Sequence, residues 1–253
     1  MRFHSLSRTL AWMILSCSLA MAAGVGGNNS VSDKKNTGKA LDSGSLGIYV
    51  SGKRVGTETF VIEQLADSSR TKSEVKIDDG TSKATQTSEM ELSPAGDLRR
   101  YAWNEVSPGK ASMVVEPKDE YLIEHLLTGP TDKPVDQIFM LPHSTSILDD
   151  YFFAQREVLV WRYLGSGCRP EPGSAGCKLA RAQFGVIIPR ERASTLVAVE
   201  YVGREKVMVH GEARELNRFN LISDGPQWNL WLDDNYKLVR IVIASDNTEV
   251  VRD

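Results

Sequence analysis

Residues 228–243, WNLWLDDNYKLVRIVI, have the pattern of two β-strands joined by a turn. Side chains alternate between the two faces of a strand, and both arms carry apolar residues at every second position. Residues 233–236, DDNY, lie between the arms and are of types that tolerate tight turn geometry. One face of the predicted hairpin is therefore apolar and consists of Trp228, Leu230, Leu232, Val239, Ile241 and Ile243.

The opposite face of this hairpin is mixed, with Trp231, Leu238 and Val242 beside the charge of Arg240. Solvated faces seldom carry this many apolar groups together, so we expect something to cover them. The cover is a helix or loop of the same chain, the N-terminal leader, a second protein or a bound apolar molecule. These four residues are the predicted ligand-binding residues. Arg240 either stacks on Trp231 as a cation–π pair or meets the carboxylate or phosphate end of an amphiphile.

Short strand patterns separated by turn residues extend over residues 45–253, which predicts one β-rich domain with a meandering antiparallel sheet. The interruption is Ile147–Leu164, where apolar residues recur near helical spacing and cover much of the circumference. Such a helix is expected to be buried, with Asp149 or Asp150 capping its start. The predicted fold is mainly β: a curved antiparallel sheet, as a half-barrel or β-spiral, with one main helix on its concave face.

The amino terminus has the pattern of an export signal. Arg2 and Arg8 precede an uncharged apolar stretch, and residues 20–22 give the small-x-small pattern that signal peptidase accepts. We therefore predict a cleaved signal peptide over residues 1–22, with lipidation at Cys17 or retention as an anchor as alternatives. Residues 23–44 contain little to bury and many turn formers, which predicts a flexible leader.

Two cysteines follow the predicted signal, Cys168 and Cys177. An even number of cysteines in an exported chain favours a disulfide, and the intervening RPEPGSAG is loop-forming. Their spacing is not the Cys-x-x-Cys of redox pairs, so a structural disulfide is predicted. The predicted location is periplasmic or secreted.

Charge and motifs argue against several functions. Removing residues 1–22 removes two arginines and no acid, so the formal charge moves from −3 to −5, and no basic block points to nucleic acid. The sequence contains no nucleophile elbow, no phosphate-binding loop and no dinucleotide-binding fingerprint. The spacing of His125, His143 and His210 is not one that metal sites favour. We predict no cofactor, no metal and no enzyme activity. A hydrolase site that assembles His143 with Asp149 or Asp150 only in the fold is the alternative.

The two ends of the domain, GIYVSGKRVGTETFVI and WNLWLDDNYKLVRIVI, resemble uncharacterised secreted bacterial envelope proteins. The resemblance implies an architecture similar to the lipoprotein-carrier and mycobacterial lipoprotein half-barrels, in which a curved sheet cups helices and, in some members, lipid. A related envelope-integrity group folds as a β-spiral with a disulfide. The expected function is an exported, non-enzymatic envelope protein that binds a hydrophobic or lipid-like ligand. The alternative is a structural or scaffold protein that binds an envelope protein partner.

Overall fold

The computed structural model describes residues 38–166 and 181–253. The predicted signal peptide (residues 1–22) and the predicted disulfide between Cys168 and Cys177 lie outside these residues. The first strand begins at Lys39, so the end of the predicted 23–44 leader belongs to the sheet. This boundary shifts because Asp42, although polar, is buried by an ion pair with Arg252.

The described residues contain fifteen strands in one sheet. They are β1 (Lys39–Val50), β2 (Lys53–Gln64), β3 (Ser69–Asp78), β4 (Lys83–Leu92), β5 (Leu98–Ser107), β6 (Ser112–Lys118), β7 (Tyr121–Leu127), β8 (Val135–Phe139), β9 (Ser146–Ile147), β10 (Ala182–Ile188), β11 (Ala193–Val209), β12 (Glu212–Ile222), β13 (Trp228–Leu232), β14 (Leu238–Ile243) and β15 (Thr248–Arg252).

Sequence neighbours pair as antiparallel hairpins from β1 to β8 and from β10 to β15, as the strand patterns predict. The two series join where β1 pairs with β15, so the ends of the described domain meet in the middle of the sheet. β9 pairs with β10 in parallel. The curved sheet has open edges at β8 and β9, and it does not close into a barrel.

Away from the β1–β15 pair, side chains also connect the β1–β8 series of strands with the segment after β10. The 3₁₀ turn Pro189–Glu191 follows β10, and Arg190 Nη1 donates to Gln86 Oε1 on β4 at 2.7 Å. Just after this turn, the main-chain oxygen of Arg192 accepts from Gln137 Nε2 on β8 at 3.0 Å. The interior of the curved sheet therefore contains hydrogen-bonded polar side chains beside this turn.

Helix α1 (Ala154–Gly165) packs against the concave face, which confirms the predicted main helix. It is shorter than predicted, because Ile147 belongs to β9. The expected Asp149 or Asp150 cap is wrong. The cap comes from β2, where Glu58 accepts from the main-chain N–H of Phe153 at 2.6 Å.

Two apolar clusters stabilise the domain. The main core lies between α1 and the concave face and includes Phe152, Leu159, Phe219 and Ile241. A second cluster, the outer cluster, lies on the other side of the sheet and consists of Val207, Val209, Leu216, Trp231, Val239 and Val251.

Candidate functional site

The structure places Trp231 in the outer cluster, where 6% of the residue is exposed. The guanidinium of Arg240 lies 5.3 Å from the centre of its ring, and Arg240 Nε also donates to Glu249 Oε1 at 2.7 Å. Of the two arrangements predicted for Arg240, the cation–π pair is therefore present. Val242 packs against the same cluster.

Leu238 does not lie on this face. Trp231 pairs with Arg240 and Leu232 pairs with Leu238, so Val239 is an extra residue on β14. A bulge of this kind reverses the alternation of side chains beyond it. Leu238 consequently belongs to the main core and Val239 to the outer cluster, and the predicted faces of both residues are wrong.

The cover over Trp231 is the far half of the β11–β12 hairpin. β12 pairs with β13 only through Asn217–Leu221, and the chain bends at Gly203, where the register shifts and φ is 134°. Beyond the bend, Glu205 Oε2 accepts from Trp231 Nε1 at 3.1 Å. At the tip, His210 Nε2 donates to the main-chain oxygen of Arg252 at 2.7 Å.

The same chain thus covers the mixed face that the sequence left open. Val207, Val209 and Leu216 of the hairpin are buried against Trp231. Arg240 and Val242 still border an open depression of about 560 Å³ at the edge of the outer cluster.

An apolar cavity of about 350 Å³ lies on the concave side, beside the amino end of α1. Its walls come from three strands, the start of a fourth, the amino end of α1 and the adjoining loops. Its apolar residues include Val186, Ile188, Val197, Leu221 and Trp228. A larger depression of about 580 Å³ lies over β2–β6, but its walls carry Lys72 and Glu89, which pair with each other at 3.2 Å. The cavity beside Trp228 is therefore the more suitable of these two for an apolar ligand.

Arg156 is the charged residue that distinguishes this cavity. It lies in the first turn of α1, lines the cavity and is 3% exposed. Its guanidinium lies 4.5 Å from the centre of the Trp228 ring. Nη1 donates to the main-chain oxygens of Asp149 and Phe152, the latter at 3.0 Å, while Nε has no hydrogen-bond partner.

Other arginines near α1 have their partners within the protein. Arg190 Nε lies 2.9 Å from Asp149 Oδ1, and Arg192 Nε lies 3.3 Å from Glu124 Oε1. Arg162, also on α1, donates to Ser146 Oγ at 2.5 Å and to the main-chain oxygen of Ser144 at 2.8 Å. In residues 38–166 and 181–253, by contrast, no ion pair within 4.0 Å includes Arg156.

Burial lowers the pKa of Arg156, because it disfavours the charged guanidinium. The carboxylates of Asp150, Glu58 and Asp149 act in the opposite direction, and the nearby charge of Arg190 adds to the lowering. These carboxylates stabilise the cation from beyond ion-pair distance. Arg156 therefore keeps an unused hydrogen-bonding edge in a buried, apolar setting.

Two buried glutamates on the sheet, neither of them predicted from the sequence as a site residue, also face the interior. Burial raises the pKa of Glu58 to about 7, against hydrogen bonds from Ser73 and the helix N–H groups that lower it. Burial likewise raises the pKa of Glu124 to about 7, opposed by Arg192. Each one interrupts an apolar strand face, Glu58 beside Phe60 and Glu124 beside Leu122. A charged residue on such a face is the feature of the sequence from which a buried glutamate could have been predicted.

A third buried carboxyl lies on the helix itself. Glu157 Oε2 accepts from the main-chain N–H of Leu238 at 2.9 Å. Burial and the adjacent Asp42 raise the pKa of Glu157, while Arg252 and Lys237 hold the pKa of Asp42 low against its own burial. This pair ties α1 to β1 and β14 and lies outside the cavity beside Trp228.

The residues of the hydrolase alternative do not assemble. Asp149 accepts from Tyr101 Oη at 2.6 Å and from Arg190 Nε at 2.9 Å. His143 uses its main-chain oxygen to accept from Leu98 N at 2.7 Å, and its Nε2 is buried without a hydrogen-bond partner. Within the described residues, no hydrogen bond or ion pair joins His143 to Asp149 or Asp150.

The other two histidines are also separate from each other. His125 Nδ1 lies 2.8 Å from Asp136 Oδ1, far along the sheet from His210 at the hairpin tip. No group of three or more His, Cys, Asp and Glu side chains in the described part of the chain is arranged to hold a metal ion. In residues 38–166 and 181–253, no helix combines the length and apolar character that a membrane span requires.

No model of a known protein family, no curated protein and no solved structure matches this chain.

Proposed function

We propose that this chain is an exported, non-enzymatic envelope protein that holds a hydrophobic or lipid-like ligand in the cavity beside Trp228. The observation that carries the proposal is the apolar cavity of about 350 Å³ on the concave side of an open sheet. Ligand pockets of proteins have volumes of roughly 300 to 1,000 Å³ and predominantly apolar walls with a few polar groups. The signal peptide predicted over residues 1–22 supports an envelope location.

The site differs from the one that the sequence favoured. Trp231 is covered by the β11–β12 hairpin, whereas Trp228, three residues earlier on the same strand, lines the cavity. Strand alternation places the two rings on opposite sides of the sheet. The ligand is therefore assigned to the concave side.

Native mass spectrometry tests this proposal on protein exported to a periplasm and purified without detergent, followed by solvent extraction of whatever is bound. Ala193→Trp fills the cavity from β11, while Leu196→Trp places the same ring on an exposed position of that strand outside the cavity. We expect an extractable apolar molecule from the wild type and from Leu196→Trp, and its loss from Ala193→Trp. Equal ligand content in all three proteins would contradict the proposed site.

A scaffold function is the second candidate, and the observation that favours it is the open edge at β8. Val135, Ile138 and Met140 are 47%, 59% and 71% exposed at this edge. Exposed sheet edges recruit extended segments of partner proteins by adding a strand. A proline at position 138 would oppose that pairing, so Ile138→Pro should abolish co-purification of an envelope partner, whereas the matched control Ile138→Thr, which keeps the N–H group and a β-branched side chain, should not.

A further inference from the structure

We propose that the ligand is an anionic amphiphile whose carboxylate head binds the guanidinium of Arg156 where this side chain lines the cavity, with a single apolar chain along Trp228 and Leu221. This inference rests on the proposed function, because it names the chemical class of the molecule in the same cavity.

The guanidinium of Arg156 is held on one side by the protein and keeps a further N–H group without a hydrogen-bond partner in the described part of the chain. Nη1 is held by two main-chain oxygens of the segment that leads into α1, so the guanidinium is fixed before any ligand arrives. Nε has no partner, and the side chain lines the cavity. Two parallel N–H groups on one guanidinium edge match the two oxygens of a carboxylate.

The stacking of Arg156 on Trp228 adds to this preorganisation. The guanidinium lies 4.5 Å from the ring centre, so the ring that lines the apolar wall also helps to fix the position of the charge. A planar cation that is held in advance loses less side-chain entropy when it binds an anion. The apolar and ionic parts of the site therefore share Trp228.

In the described residues Arg156 also has no carboxylate within ion-pair distance, and this favours an anionic ligand as well. A buried hydrogen-bonding group without a partner is costly, and a buried charge is usually paired. Arg190 and Arg192, which are more exposed than Arg156, each have a carboxylate within 4.0 Å, and Arg156 does not. An anionic head bound to the guanidinium would give Arg156 the negatively charged partner that Arg190 and Arg192 already have.

Negative charges on the cavity wall limit where the head can lie. Asp150 and Glu191 also line the cavity, and either would repel a carboxylate that lay beside it. The Asp150 carboxylate is the nearest in effect to Arg156, and it favours the guanidinium cation while it opposes an anionic head. Glu191 is exposed and weakens binding of the head from the cavity wall.

The volume sets the size of the probe. Water occupies roughly 30 Å³ per non-hydrogen atom, so a cavity of about 350 Å³ accepts roughly a dozen such atoms. Decanoate has this size. Decan-1-ol and decylammonium present the same chain with a neutral and a cationic head.

The experiment titrates delipidated protein with decanoate, decan-1-ol and decylammonium by isothermal calorimetry at low ionic strength. Charge-assisted hydrogen bonds predict that decanoate binds about tenfold or more tightly than decan-1-ol. Glu191→Gln should tighten decanoate binding about two- to fivefold at low salt and leave decan-1-ol unchanged. Glu215→Gln, an exposed acid on the hairpin away from the cavity, should change neither.

Arg156→Met removes the head-group contact, with a thermal melt to show that the variant is folded. It should reduce decanoate to the affinity of decan-1-ol. If this variant does not fold, the wild-type selectivity and the Glu191→Gln effect decide the matter. Equal binding of all three probes, or a preference for decylammonium, would overturn the anionic head while apolar binding stands. Failure of every probe to bind would overturn the proposed function together with this inference.

Discussion

The stability of the domain should fall as the pH rises from 5 to 8, and Glu58 should be a main cause. Its carboxyl is fully buried and accepts from Ser73 Oγ and from the first N–H groups of α1. Burial raises its pKa from the ordinary 4.5 to about 7. Between these two values the folded state binds the proton more tightly than the unfolded chain, so the contribution to stability is complete below pH 4.5 and is lost as the pH passes 7.

The magnitude follows from the difference between 7 and 4.5, which at about 1.36 kcal/mol per pKa unit is roughly 3 kcal/mol. Because neither state is fully titrated at the ends of the range, the loss between pH 5 and pH 8 is roughly 2.5 kcal/mol. Glu124, whose pKa is also raised to about 7, contributes in the same direction. Between pH 5 and pH 8, the free energy of unfolding of the wild type should therefore fall by more than Glu58 alone contributes.

The assay is urea unfolding followed by circular dichroism at pH 5 and pH 8, in wild type, Glu58→Gln and the control Glu74→Gln. The glutamine side chain removes the titration at this position and still offers an oxygen to the helix N–H groups. Glu74 is on the neighbouring strand with a side chain that is 42% exposed. Glu58→Gln should reduce the pH-dependent loss by roughly 2.5 kcal/mol, with an unchanged m-value. If Glu58→Gln shows the same pH dependence as the wild type, a raised pKa of Glu58 is not a cause of the loss of stability.

Three further results are expected. Trp231→Ala should lower the free energy of unfolding by about 3 to 5 kcal/mol, because the ring is buried under the hairpin, and a loss below about 1 kcal/mol in urea titration would contradict that cover. Gly203→Ala should cost about 1 to 3 kcal/mol, because φ there is 134°, and should speed hydrogen exchange at the hairpin tip, while Gly165→Ala should not. Trp228→Leu should weaken decanoate binding about tenfold in calorimetry, since it removes the ring that positions Arg156, and unchanged affinity would exclude that role.

Local pattern was sufficient for much of the fold. Period-two alternation predicted the consecutive hairpins, and the apolar segment near Ile147–Leu164 predicted the single buried helix. The residue types of one turn also fit: Gly52 has a φ of 78° in the two-residue turn between β1 and β2. These features depend on residues close in sequence, so the sequence carries them directly.

The features that position the site depend on contacts between distant residues. Glu58 caps the start of α1 although it lies 95 residues earlier in the chain, and no motif near either residue predicts this contact. The extra residue Val239 changes the face of Leu238, and alternation cannot reveal a bulge that the partner strand defines. The need to cover Trp231 was predictable from its mixed face, but the identity of the cover was not, because it depends on the bend at Gly203.

The most direct test of the ligand cavity is an NMR experiment on isotope-labelled protein with unlabelled decanoate, in which nuclear Overhauser effects report which protein protons lie near the alkyl chain. We expect effects from the alkyl chain to the Trp228 indole and to the methyl groups of Val197 and Leu221, and none to Trp231 or Val242. Effects to Trp231 and Val242 alone would place the ligand on the outer side of the sheet and contradict the assignment.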